Sequence, residues 1–259
     1  MHRFYVPAGV TAAELWLLDQ EAAHLTQVLR HAVGDRVELF DGQGNHVVGE
    51  LTELQKRKVR LRVVALLPSD PLPVQPLTLA VAPPKGERLE WLVEKATELG
   101  VEELVLLQTQ RTVAEPGGGK IEKLRAGVVT ACKQSGRNRL MTISPMIPWP
   151  VFCASQARTS QRWFATPQGQ PIREALRASS SAEPHPAPAG DQTSARDELG
   201  TAVPVGWTVA VGPEGGWTDE EQQLALKSGF VAVSLGERIL RIETAALAAA
   251  SWIGLQCRG

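Results

Sequence analysis

Apolar and polar positions change their period along this chain, and the change divides it. Near the N-terminus, residues 37–40 and 46–51 alternate apolar and polar side chains on either side of the turn cluster Asp41-Gly42-Gln43-Gly44, which predicts a β-hairpin. Residues 57–66 alternate basic and apolar positions and read as a third strand. Upstream, residues 21–31 have helical spacing, with Leu25, Val28 and Leu29 on one side. Residues 1–70 therefore read as a small β-rich unit. Four prolines within residues 68–76 make a stiff linker and a domain boundary.

From residue 77 strands and helices alternate. Continuous apolar runs at 77–82 and 104–107, a short one at 163–165 and a stronger one at 207–211 predict buried strands. Residues 230–235 add another. Residues 87–99 form an amphipathic helix, with Leu89, Leu92, Val93, Ala96 and Leu99 on one face and Gly100 at its end. A polar helix follows at 121–133. Thr218 and Glu221 form a capping-box pair ahead of a helix that Gly229 ends, and an alanine-rich helix covers 243–255. Repeated β–α units predict an α/β domain with a largely parallel sheet over 77–259. Residues 178–206, rich in Ser, Pro, Ala and Gly, read as a flexible insert between two strands.

Composition narrows the class. The chain has 259 residues and a net charge of −1, which excludes a strongly basic nucleic-acid coat but allows a local basic patch. Three scattered cysteines offer neither a disulfide framework nor a metal pattern and suit a reducing cytosol. There is no signal-like N-terminus, and no stretch approaches the roughly 20 apolar residues that span a bilayer. A soluble cytoplasmic protein is expected, without membrane or metal.

Three segments carry candidate chemistry. Val211-Gly212-Pro213-Glu214-Gly215-Gly216-Trp217-Thr218 joins an apolar strand to a capped helix, where α/β sheets bind ligands. It is neither GxxxxGK[ST] nor GxGxxG, so NAD- and ATP-binding enzymes lack their fingerprints. A tight turn built for backbone geometry alone is the competing reading. Leu235-Gly236-Glu237-Arg238-Ile239-Leu240-Arg241-Ile242-Glu243 repeats the arrangement, and its apolar side chains suit a pocket for a flat ring or a plug for the core. The third segment, 111–139, holds seven basic residues and two acidic ones, as a phosphate-binding patch or a solvated helix face would. No nucleophile elbow or HExxH motif is present.

The two loops closely resemble the C-terminal signature of the RsmE family, the 16S rRNA uracil-N3 methyltransferases of the SPOUT superfamily. The resemblance extends to His24-Leu25 through Arg30, Val33-Gly34-Asp35 and Asp41–Gly44, to Lys95–Val101 followed by Arg111-Thr112-Val113, and to Gln134-Ser135-Gly136-Arg137 with Pro145. The chain departs from the family at Ala131-Cys132-Lys133-Gln134, where an acidic or polar residue more often precedes Gln, and in the long 178–206 insert.

The resemblance implies a PUA-like β-barrel for RNA over 1–70 and a SPOUT methyltransferase domain with a trefoil knot over 77–259. It also implies a homodimer, S-adenosylmethionine (SAM) as cofactor, and 16S rRNA, in the assembled small subunit, as substrate. On that analogy the cofactor loops contain Ala165, Thr166 and Pro167; Val211, Gly212, Glu214, Gly215 and Gly216; and Leu235, Gly236, Arg238, Ile239 and Leu240. Stabilisation of the uracil anion falls to Arg111, Arg137 or Arg241, with Glu243 as base or orienting group; a structural Arg241–Glu243 ion pair is the alternative. Arg30, Arg57, Lys58, Arg60, Arg62 and Lys133 are the candidates for guiding RNA. A SPOUT methyltransferase for another RNA position, or a non-enzymatic RNA-binding protein, are the rival expectations.

Overall fold

Alternation with period two gives the N-terminal region its sheet, because a strand with one buried face needs apolar side chains at every second position. In the computed structural model, which describes residues 1–55, 57–155, 161–181 and 206–257, five strands form it: β1 (Arg3–Tyr5), β2 (Glu14–Leu18), β3 (Arg36–Phe40), β4 (His46–Gln55) and β5 (Lys58–Leu66). Their order is β1-β3-β4-β5-β2. β1 runs parallel to β3, and the other pairings are antiparallel. Leu15 and Leu17 of β2 point into a core with Phe4, Leu39, Leu51 and Leu61, while Trp16 and Leu18 point outward. The sequence pattern did not mark β1 and β2. β1 is only three residues long, too short to show a period.

The predicted helix over 21–31 takes a different form. It is α1 (Asp19–Ala23), followed by a π-helical turn (His24–Val28). The Leu29 N–H donates to the His24 carbonyl, five residues back. The extra residue per turn rotates the chain off the 3.6-residue face. Leu25 is buried as expected, but Val28 is 68% exposed.

The first unit comprises Met1–Leu72 with Val128–Leu140. Part-buried polar bonds hold the second of these segments. The Asn138 amide donates to His46 Nδ1 (3.0 Å), its backbone N–H donates to Asp70 (3.1 Å), and Arg3 Nη1 donates to the Cys132 carbonyl (2.9 Å).

The second unit, Pro73–Gly127 with Met141–Gly259, is built on a six-stranded sheet. Its strands are β6 (Leu77–Val81), β7 (Glu103–Gln108), β8 (Thr142–Pro148), β9 (Gln161–Pro171), β10 (Trp207–Val211) and β11 (Val231–Ser234). The order is β11-β9-β10-β6-β7-β8, with every pairing parallel. The helices are α2 (Arg88–Glu98), α3 (Gly118–Ser135), α4 (Trp149–Ser155), α5 (Ile172–Ser181), α6 (Asp219–Lys227) and α7 (Ile242–Cys257).

β8, α4 and α5 went unmarked in the sequence pattern. β8 carries Pro145 and Pro148, which cannot donate to a ladder, and it lies at the sheet edge where that is tolerated. β9 is longer than the predicted 163–165. Its register on β11 jumps, so that Phe164 faces Ala232 while Gln170 faces Val233. Gly169 makes this possible: a Cβ there would lie 2.5 Å from the Val233 backbone.

The core of this unit is aromatic. Trp149, Phe152, Phe164, Trp217 and Phe230 pack together, and the Trp149 and Trp217 rings lie 4.5 Å apart. Of the 178–206 insert, 178–181 complete α5 and 206 precedes β10; residues 182–205 lie outside the described residues. No helix among the described residues is long and apolar enough to cross a membrane.

Candidate functional site

Parallel strands place their carboxyl ends, and the loops that leave them, on one side of the sheet. There residues 165–168 within β9 and the loops after β10 and β11 line a cleft of about 840 Å³. Every cofactor-site residue marked by sequence lines it: Ala165, Thr166 and Pro167 in β9, Val211–Gly216, and Leu235, Gly236, Arg238, Ile239 and Leu240.

The central loop is braced from several directions. The capping box is formed: Thr218 accepts from the Glu221 N–H, and the Glu221 side chain accepts from the Thr218 N–H. The second Glu221 oxygen accepts the Gln110 N–H at 2.8 Å, tying α6 to the loop after β7. Trp217 is nearly buried, and its Nε1 donates to the Ala165 carbonyl at 2.9 Å, linking the β10 loop to β9. Gly212 lets that ring lie against the backbone, since a Cβ would stand 2.8 Å from the indole. Trp217 also lines the cleft, as do Gln168 and Gln222. Sequence reading missed these roles, although Trp217 lies within the glycine loop it singled out.

Arg111 meets this loop. Its Nη1 donates to the Gly215 carbonyl at 2.6 Å. The neighbouring Glu220 carboxyl is held below its ordinary range by its own backbone N–H, then by the Thr218 hydroxyl, with the Arg111 charge assisting.

Arg241 lines the main cleft and also a smaller one of about 300 Å³, which Glu87, Arg88, Trp91, Glu243 and Thr244 complete. Glu243 is 5% exposed, and its Oε2 has no hydrogen-bond partner. The group nearest it in an ion pair is Arg88, whose Nη1 lies 3.7 Å away. Arg88 Nη2 holds Glu214 of the glycine loop at 3.1 Å. The charged partner of Glu243 is therefore Arg88 at the start of α2, and no Arg241–Glu243 pair is among the salt bridges. Arg88 was not marked in the sequence. The signal for it existed, because it opens the helix after the carboxyl end of β6, the same strand-to-helix position that marked the other loops. Arg137 belongs to the first unit, beside the buried Asn138.

Most of the RNA candidates face carboxylates. Arg57 pairs with Asp19 (2.7 Å), Arg62 with Glu50 (2.9 Å) and Arg60 with Glu14. The Lys58 ammonium sits 3.8 Å from the centre of the Trp16 ring. Lys133 pairs with Glu21. Arg30 is exposed, with φ +54°. Within the basic segment, Lys120 and Lys123 share Glu90, and Arg125 pairs with Glu122. Two carboxylates remote in sequence, Glu90 and Glu21, and the nearby Glu122 thus meet four of the seven basic residues of the segment.

Comparison with known proteins agrees with this architecture. A family model described as an RNA methyltransferase domain matches residues 70–254, and one described as an RNA methyltransferase PUA domain matches residues 17–64. The chain is 31% identical over 241 residues to the ribosomal RNA small subunit methyltransferase E of Synechocystis, covering 92% of this chain and 72% of the relative. It is 29% identical to the Bacillus subtilis protein of the same name, covering 92% and 88%. Its fold matches the crystal structure of ribosomal RNA small subunit methyltransferase E from Neisseria gonorrhoeae bound to S-adenosyl methionine, with a TM-score of 0.77, 28% identity, and 98% and 97% of the two chains covered. The chain belongs to the RsmE family, the ribosomal RNA small subunit methyltransferases E.

Proposed function

We propose that this chain transfers the methyl group of SAM to N3 of one uridine in 16S ribosomal RNA. The observation that carries the reading is the convergence of β9 residues 165–168 and the β10 and β11 loops on one cleft. Its volume lies within the roughly 300–1,000 Å³ typical of small-molecule sites. The cleft suits SAM chemically. Leu235, Ile239 and Leu240 offer apolar surface to the adenine ring, and the glycine-rich backbone from Gly212 to Gly216 offers close approach to polar atoms. When bound, SAM supplies an electrophilic methyl carbon on a sulfonium.

The protein's part is to present N3 and handle its proton. Neutral uracil is a poor nucleophile at N3, so the N3–H bond must break. Its proton passes to the Glu243 carboxylate and then to solvent. N3 then bonds to the methyl carbon as the carbon–sulfur bond breaks, leaving S-adenosylhomocysteine. Arg241, which borders both clefts, stabilises the anion on the uracil oxygens; Arg111 and Arg137 are the other cations proposed for that task. N3 lies on the Watson–Crick edge, so the base enters unpaired.

The remaining parts of the reading follow the family. Residues 1–70 serve as the PUA-like RNA-binding domain and 77–259 as a SPOUT methyltransferase domain. A trefoil knot is supported by the placement of β10 between β6 and β9 and by α7 packing back on β6 and β10. A homodimer is supported by exposed apolar side chains on α7, Trp252 and Leu255. The substrate is the assembled small subunit, and the setting is the cytoplasm.

Calorimetry with SAM, and mass-spectrometric mapping of nucleosides in rRNA from cells lacking this protein, test the proposal. The expected results are SAM binding and the loss of one N3-methyluridine. Absence of SAM affinity, or an unchanged set of methylated uridines, would overturn it.

A further inference from the structure

We infer that the smaller cleft, where α2 and α7 begin, is the recess for the target base and selects uracil over cytosine; this rests on the methyltransferase reading above. The starting point is the buried Glu243 Oε2, which has no hydrogen-bond partner. A buried carboxylate oxygen without a donor is costly, and native proteins seldom keep one without a role. Arg88 at 3.7 Å supplies charge but no hydrogen bond.

The cleft supplies what a pyrimidine needs. Uracil shows two carbonyl acceptors flanking a single N–H donor at N3. The carboxylate of Glu243 accepts that N–H. Arg88 and Arg241 flank it with guanidinium donors, and each guanidinium carries five N–H groups, so Arg88 keeps donors to spare beyond its contact with Glu214. Trp91 is 46% exposed and lines the same cleft, which offers the base an aromatic face to stack on. Arg241 borders both clefts, so a base held in the smaller one adjoins the cleft assigned to SAM.

The same arrangement rejects cytosine. Cytosine N3 carries a lone pair where uracil carries hydrogen, and an acceptor facing a lone pair is repelled. Its N4 amino group also replaces the O4 acceptor, leaving a guanidinium facing a donor. A site built around one hydrogen-bond pattern discriminates strongly against the pattern that leaves its groups unpaired.

The test measures methyl transfer to small ribosomal subunits from cells lacking the protein, carrying either the mapped uridine or cytidine at that position. The native chain is expected to prefer uridine by roughly 100-fold or more. In Glu243→Gln the carboxamide presents an acceptor and a donor, so the preference is expected to fall at least about tenfold while calorimetric SAM affinity is retained. Trp91→Ala, at an exposed position that does not threaten folding, is expected to raise KM for the subunit about tenfold with SAM affinity retained. An unchanged uridine preference in Glu243→Gln together with an unchanged KM in Trp91→Ala would overturn the assignment. A fall in SAM affinity matching the fall in activity in Glu243→Gln would also overturn it, by giving the recess to the cofactor. Absence of SAM binding by the native chain would overturn both this inference and the reading beneath it.

Discussion

Arg111 holds the glycine loop by its carbonyl: the guanidinium Nη1 donates to the Gly215 oxygen at 2.6 Å. The side chain packs as well, since a Cβ on Gly215 would lie 3.1 Å from Arg111 Cδ. This contact makes the arginine a brace for the cleft floor. Arg111→Ala removes a charge-assisted hydrogen bond worth about 1–2 kcal/mol. SAM affinity measured by calorimetry should fall about five- to thirtyfold, with the thermal midpoint little changed. An affinity equal to that of the native chain would show that the loop holds its shape unaided.

Lys133 offers a contrast between contact and stability. Its ammonium pairs with Glu21, whose Oε2 is buried without a hydrogen-bond partner. Removing the cation strands the carboxylate, so Lys133→Ala should lower stability in urea unfolding by about 2–3 kcal/mol. Lys133→Met combined with Glu21→Leu should recover most of that loss, because two apolar side chains leave no charge unpaired. If Lys133→Ala leaves the urea midpoint unchanged, the lysine is free for other work.

Gly169 stands where β9 passes β11 at close range. Gly169→Ala forces a Cβ to within 2.5 Å of the Val233 backbone, which must move. The expected cost is about 3 kcal/mol in stability, seen as a lowered urea midpoint, with weakened SAM binding because this strand pair frames the cleft. A midpoint within error of the native value would contradict the register described here.

Acid should release one surface cluster. The Glu90 carboxyl is held below its ordinary value of 4.5, first by the Lys120 ammonium and then by Lys123. Asp35 is depressed in the same direction, by the Ala32 N–H and then His31. A carboxyl depressed in the fold contributes stability above its unfolded value and loses it as pH falls through the lower folded value. Glu90→Gln should therefore lower the thermal midpoint at pH 6 to 7 relative to the native chain, and the gap should narrow as pH drops below 4.5. A gap independent of pH would exclude the ion pairs as its source. Cys153 behaves oppositely: burial pushes its thiol up from 9.0 to about 12, so the native protein should resist alkylation there at pH 8 and react once unfolded.

Much of the second unit was readable because its signals are local. β10 matches the predicted span 207–211, and the capping box at Thr218 and Glu221 formed where the spacing placed it. Both depend on neighbours within a few residues. The π-helical turn at His24–Val28 was not readable, because a 3.6-residue period carries no sign that one turn will widen. β8 was hidden by its two prolines. Summing charge along the chain cannot see Glu90 or Glu21, which meet Lys120, Lys123 and Lys133 only once the chain has folded.

The amino-acid sequence by itself determined the α/β class and the two strand-to-helix loops, after β10 and β11, that line the main cleft, since hydrophobic period, glycine and caps act within a few residues of where they stand. The tertiary structure alone decided the strand order, the union of those loops in one cleft, the bracing by Arg111 and the meeting of Arg88 with Glu214 and Glu243. The arginine contacts join residues more than a hundred positions apart, and their energy depends on burial and approach distances that exist only once the chain has folded.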